Sequence, residues 1–238
     1  MRRIEDLQIK IFADGADKAG MLEMYARPYI KGFTTNPTLM RRANIRDYRS
    51  FAHDILQAIP DRPISFEVFS DDFTEMECQA MEIARWSSQV YVKIPVTNTR
   101  QEPAYPLIKR LSRAGVNLNI TALMTLTQVR EVAESISGGA SAYVSVFAGR
   151  VADTGCDPLP IMASAVEVLR PNSKAELIWA SPREVLNIFQ ANDIGCHIIT
   201  ATNDILNKLS LVGKDLTDYS LETVKMFYDD ACRAGFRL

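Results

Sequence analysis

The side chains with most chemical potential are a lysine inside an apolar strand and polar residues at the ends of other apolar segments. Lys93 stands in Gln89-Val90-Tyr91-Val92-Lys93-Ile94-Pro95-Val96, where β-branched residues recur at period two. Val90, Val92 and Ile94 take one face, and Gln89, Tyr91 and Lys93 the other. So apolar a strand is usually covered on both sides, and a lysine in the interior needs a partner or a purpose. Two readings are open. On an edge strand Lys93 is a solvated charge; in the interior it is a desolvated amine that stays neutral and attacks a carbonyl.

Schiff-base chemistry sets further demands. A lysine with a reference pKa of about 10.4 is a free amine at neutral pH only when desolvated or set beside other cations. The amine adds to a ketone and loses water, and the iminium becomes an electron sink for the neighbouring C–C bond. A carboxylate must then move a hydroxyl proton, and a second group must manage the water. Asp14 and Glu67 are available to divide those tasks. Arg150 and Arg183 offer planar forks suited to a phosphate, with Ser181 adding a hydroxyl; the alternative for each arginine is a solvated surface charge.

The elements that must position these groups alternate along the chain. Strand patterns at 8–13, 32–35, 64–69, 89–96, 116–121, 142–148, 176–181 and 197–201 are each followed by helical sequence. The helical patterns fall at 17–25, from 37 to about 59, and at 73–86, 106–114, 128–136, 158–169, 182–191 and 204–209, with a last one from about 221 to 234. No Pro/Gly/Ser-rich linker divides the chain, so residues 1–238 read as one (β/α)₈ TIM-barrel domain. A doubly wound open sheet is the alternative, but the first strand–helix turn lacks a GxGxxG fingerprint.

Active sites of such barrels sit at the C-terminal ends of the strands. Those ends carry Asp14, Asn36, Glu67, Lys93, Asn119 with Thr121, Ser145 with Arg150, and Ser181 with Arg183. Any one alone is more often a capping or turn residue. Together they place carboxylates, a lysine, amides, hydroxyls and arginines around one cavity, and Glu67, Asn119 and Thr121 share the inward parity of their strands with Phe69 and Asn117.

A formal net charge of −2 supplies no excess positive charge to drive nucleic-acid or membrane association. The N-terminus has no apolar h-region, and Cys78, Cys156, Cys196 and Cys232 have no CxxC spacing, which fits reduced thiols in a cytoplasmic protein. His53 and His197 read as structural, leaving little support for a metal site or a Ser-His-Asp triad. Cys156 reads as a loop thiol and Cys232 as packing in the last helix.

At these residues the sequence resembles the transaldolase family along nearly its whole length. The motifs are Gly32-Phe33-Thr34-Thr35-Asn36-Pro37-Thr38, Tyr91-Val92-Lys93-Ile94-Pro95-Val96-Thr97, Leu118-Asn119-Ile120-Thr121, Ser145-Val146-Phe147-Ala148-Gly149-Arg150 and Ala180-Ser181-Pro182-Arg183. The resemblance implies a (β/α)₈ barrel that moves a dihydroxyacetone unit from a ketose phosphate to an aldose phosphate without cofactor or metal. It implies that Lys93 forms the Schiff base and that Asp14 takes and returns the C4 hydroxyl proton. Glu67 with Thr121 would hold the catalytic water, and Asn36, Asn119 and Ser145 the hydroxyls of the three-carbon fragment. Arg150, Ser181 and Arg183 would form the phosphate site.

The related fructose 6-phosphate aldolases carry glutamine where Glu67 stands and tyrosine where Phe147 stands, so these positions favour transfer over release of free dihydroxyacetone. The chain also resembles compact members that form homo-oligomers, as pentamer-based decamers. The final helix, with Leu221, Val224, Phe227 and Tyr228, packs either across a neighbour or as the eighth outer helix. Gly15, Val146 and Pro182 depart from the family pattern. Gly15 stands where a hydroxyl residue would support Asp14, and Pro182 bears on phosphate-site geometry, leaving open a donor with another anion such as a sulfonate. A non-catalytic sugar-phosphate-binding barrel would be marked by loss of Lys93, Asp14 or Glu67, all of which are present.

Overall fold

A computed structural model describes residues 3–237. Chain order gives β1 (Lys10–Asp14), α1 (Lys18–Tyr25), β2 (Ile30–Thr34), α2 (Pro37–Arg42), α3 (Tyr48–Ala58), β3 (Ile64–Glu67) and α4 (Phe73–Ile83). Next come β4 (Val90–Pro95), α5 (Tyr105–Arg113), β5 (Leu118–Leu123), α6 (Leu126–Ser135), β6 (Ala142–Val146), α7 (Ala148–Asp153) and α8 (Leu159–Leu169). The chain ends with β7 (Ala175–Trp179), α9 (Leu186–Asp193), β8 (Ile198–Thr202), α10 (Asn203–Asn207) and α11 (Leu216–Ala234). The strands run β1 to β8 around a closed barrel with parallel pairing throughout, β8 meeting β1. Closure rules out the open doubly wound sheet.

Period-two alternation divides the core. Outward residues such as Ile64, Phe66, Val92, Ile94, Leu118 and Ile120 pack under the helices. Inward residues Phe12, Tyr143, Ile178 and Ile198, with Tyr91 against them, fill the barrel interior. Tyr91 stacks on Tyr143 at 3.8 Å between centroids, and Phe12 meets Tyr143 edge-on at 5.7 Å. This fit requires Gly32: a Cβ there would lie 2.6 Å from the Phe12 ring. The polar strand ends therefore rest on an aromatic floor.

Several boundaries differ from the sequence pattern. β3 stops at Glu67 rather than running to 69; the Phe69 N–H turns to Gln79 Oε1 at 3.0 Å and its side chain is 64% exposed. The helical stretch ending near 59 is two helices, separated where Asn44 takes a left-handed φ of 55° and Asp47 caps α3 through the Ser50 N–H. Residues 148–153 form α7, where the pattern gave strand and loop. α11 begins at Leu216 because Asp215 accepts the Thr217 and Asp218 N–H groups. It has no buried residue, and Leu221, Val224, Phe227 and Tyr228 are exposed. Cys232, assigned to packing, is exposed because nothing covers this helix among the described residues. Among those residues no helix is long and apolar enough to cross a membrane.

Candidate active site

Every site residue predicted from the sequence lines one cavity of about 670 Å³ at the C-terminal ends of the strands. Lys93 lies at its base, 6% exposed. The Nζ donates to the Thr35 carbonyl at 2.8 Å and stands 3.2 Å from Glu67 Oε2. The amine is desolvated as predicted, but it is not alone. Glu67 and Lys93 are register partners on β3 and β4, so sheet pairing itself sets the carboxylate beside the amine. A carboxylate oxygen thus lies within reach of a proton that the amine gives up.

Tyr48, at the start of α3, fixes the end of β3. Its hydroxyl donates to the Glu67 carbonyl and accepts the Glu67 N–H, each at 2.8 Å. Burial drives its phenol well above the ordinary range, so it stays protonated for this double contact.

Asp14 ends β1 opposite Thr34 on β2. The Thr34 hydroxyl donates to Asp14 Oδ1 at 2.7 Å and lies 2.6 Å from the Thr200 hydroxyl. With its own proton given to Asp14, Thr34 accepts from Thr200, forming a buried chain that orients the carboxylate. The support missing at Gly15 is therefore supplied from β2 and β8. Burial raises the Asp14 pKa above the ordinary carboxylate value; Lys93 and the Thr34 hydrogen bond pull against this, and Glu67 adds to it.

Asn119, fully buried on β5, is clamped at both ends of its amide: Nδ2 donates to Ser65 Oγ at 2.9 Å, and Oδ1 accepts from Ser145 Oγ at 2.7 Å. Asn36 caps α2, its Oδ1 accepting the Leu39 N–H at 2.9 Å, so the amide is fixed at the cavity wall. The buried Thr121 hydroxyl has no protein partner among the described residues, and buried polar groups of this kind call for an explanation.

The arginines occupy the wall formed after β6 and β7. Arg150 is exposed, its guanidinium 5.3 Å over the Phe147 ring. Arg183 differs from the expectation of a free fork. Its Nε donates to Asp153 Oδ1 at 2.9 Å and Nη2 to the other oxygen, because α7 brings that carboxylate alongside. Arg183 in turn holds Asp153 below the usual carboxylate range. Pro182 is buried, and Val146 faces the helix layer rather than the cavity.

Sequence reasoning missed Tyr48 as a partner of Glu67, the Thr34–Thr200 pair behind Asp14, the Thr35 carbonyl, Asp153, and the cavity-lining Arg42 and Asp204. Strand parity would have found Thr34 and Thr200; Asp153 lay on a helix the pattern did not show. His197 is structural as predicted, its Nδ1 accepting the Leu177 N–H at 3.0 Å, and His53 is exposed beside Trp86. Cys156 is an exposed loop thiol.

A buried lysine beside acidic groups at the mouth of a parallel barrel suits carbonyl chemistry, and comparison with known proteins gives the family. The model of the transaldolase/fructose-6-phosphate aldolase family matches residues 11–237. A probable transaldolase of Thermoanaerobacter sp. is 33% identical over 231 residues, covering 97% of this chain and 100% of that protein. A probable transaldolase of Dehalococcoides mccartyi is 32% identical over 211 residues, covering 88% and 93%. The chain belongs to the transaldolase/fructose-6-phosphate aldolase family. Among solved structures, dihydrodipicolinate synthase from Rhodopseudomonas palustris superposes with a TM-score of 0.59 at 13% identity over 94% of this chain and 79% of that one. A chain described as an aldolase gives 0.53 at 13% identity over 88% and 99%. At such identities these two likenesses show the barrel fold alone.

Proposed function

We propose that this protein is a class I transaldolase, a single-domain enzyme that transfers a dihydroxyacetone unit between sugar phosphates through a Schiff base on Lys93. The observation that carries the reading is the lysine itself: 6% exposed, over an aromatic floor, with a carboxylate oxygen at 3.2 Å. Lys93 attacks the ketone of a donor such as fructose 6-phosphate or sedoheptulose 7-phosphate, and Glu67 with Thr121 handles the water lost. Asp14, half-buried at the cavity wall and raised above the usual carboxylate range, removes the C4 hydroxyl proton. The C3–C4 bond breaks and an aldose phosphate leaves. Asn36, Asn119 and Ser145 hold the hydroxyls of the bound enamine, which adds to a second aldehyde before hydrolysis frees the new ketose.

The end of the cavity bearing Arg150, Ser181 and Arg183 receives the phosphate. Glu67 and Phe147 favour transfer over lysis. The substrates are small sugar phosphates rather than nucleic acid or membrane, and the enzyme works in the cytoplasm without cofactor or metal. The uncovered apolar residues of α11 support assembly into a homo-oligomer, with this helix lying on a neighbouring subunit.

The test is to supply fructose 6-phosphate with erythrose 4-phosphate and to quantify sedoheptulose 7-phosphate against free dihydroxyacetone. Transfer should dominate. Dominant release would make the protein a fructose 6-phosphate aldolase-type lyase instead.

A further inference from the structure

The two segments that carry the arginines are clasped together. α7 supplies Gly149, Arg150 and Asp153; the turn after β7 supplies Ser181, Pro182 and Arg183. The backbone is the first point of closure. A Cβ on residue 149 would fall 1.5 Å from the Ser181 carbonyl oxygen and 2.7 Å from its carbon, and 3.4 Å from Arg183 Nε. These first two are main-chain atoms, which cannot yield as a flexible side chain does. The Gly149 N–H also reaches the Ala180 carbonyl at 3.4 Å. Glycine is unfavourable inside a helix, so its presence here has a packing reason.

Ser181 is the residue that this approach constrains. Its φ is 59°, in the left-handed region that residues with a Cβ seldom enter. Pro182 follows, is buried, and disfavours the right-handed helical conformation at Ser181. Such a backbone persists only where its surroundings over-determine it. The second point of closure is the ion pair: Asp153 takes the Nε and Nη2 edge of Arg183, leaving Nη1 without a hydrogen-bond partner among the described residues.

We propose that Gly149 and Asp153 are positioning residues for anion recognition, holding the Ser181 backbone and the Arg183 guanidinium in the geometry that selects phosphorylated over unphosphorylated ketoses. The inference rests on the reading of this corner as the phosphate end of the site. Gly149 acts through space it leaves empty, and Asp153 through the orientation it imposes.

The experiment compares fructose 6-phosphate with unphosphorylated fructose as donor, using one acceptor, for the wild type, Gly149→Ala and Asp153→Asn. In both variants the ratio of kcat/KM for the phosphorylated to the unphosphorylated donor should fall at least about tenfold, chiefly through the KM of the phosphorylated donor. A ratio within about twofold of wild type, or an equal fall for both donors, would overturn the clasp, since a merely structural role lowers both together. If Gly149→Ala does not fold, Asp153→Asn, which keeps the heavy-atom shape at the contact, decides alone by the same ratio. A wild type without preference for the phosphorylated donor would sink the phosphate reading and the clasp with it. A preference that survives both variants would sink only the clasp.

Discussion

Glu67 and Lys93 face each other across the β3–β4 pairing, with Oε2 and Nζ 3.2 Å apart at the base of the cavity. Their separation is set by sheet register, so each side chain defines the environment of the other. Replacing Glu67 by glutamine keeps the shape and removes the charge. The Glu67→Gln variant should transfer at least about 100-fold more slowly, as expected for loss of an acid–base group. Its product ratio should shift toward free dihydroxyacetone, read in a coupled assay. An unchanged ratio would show that Glu67 does not govern the fate of the enamine.

Asp14 makes stability depend on pH. Its folded-state pKa is raised, so the folded protein favours the protonated carboxyl. That contribution is fully present below the unfolded pKa of about 3.9 and is lost as pH rises through the folded value. Above the unfolded pKa the unfolded state ionises more readily than the folded one, so Asp14 increasingly opposes folding as pH rises. Asp14→Asn should melt above the wild type at pH 8, with the gain shrinking toward pH 4, while kcat falls about 10²- to 10⁴-fold. A melting difference independent of pH would contradict the burial argument.

Tyr48 supports Glu67 from outside the strand-end motifs. Tyr48→Phe removes one hydroxyl that serves both the N–H and the carbonyl of Glu67. Stability should drop by about 1–3 kcal/mol, the cost of leaving such groups unsatisfied, measured by urea unfolding. Transfer activity should fall with it, as the end of β3 loosens. Full activity in this variant would separate the strand end from the chemistry.

Much of this site was legible because barrel strands have a strict parity. Lys93, Glu67 and Asn119 follow a period of two, and the aromatic Tyr91 two residues before Lys93 is part of the floor beneath it. Contacts that depend on how separate elements pack were not legible. The Arg183–Asp153 pair needs α7, a six-residue helix too short to show a periodic pattern. The Tyr48 hydroxyl sat on an apolar helical stripe, where the pattern records its ring and not its oxygen. The α3 boundary was hidden because Asn44 and the Asp47 cap interrupt helical sequence without a proline or glycine.

The apolar residues of α11 give an assembly prediction. Phe227→Glu with Leu221→Glu places charge on a face exposed in the isolated chain, where it costs little folding stability. The native mass from light scattering should fall from an oligomer to a smaller species. A wild-type monomer in solution would remove the basis for assigning α11 to a subunit contact.

Borohydride reduction converts a Schiff base into a stable secondary amine that stays on the lysine. Wild-type protein incubated with fructose 6-phosphate and borohydride should gain the mass of a reduced ketose or dihydroxyacetone adduct, and peptide mapping should place it on Lys93. Lys93→Arg should remain folded and take up none. Absence of an adduct with any ketose phosphate tried, or an adduct on a different lysine, would rule out Lys93 as the Schiff-base residue.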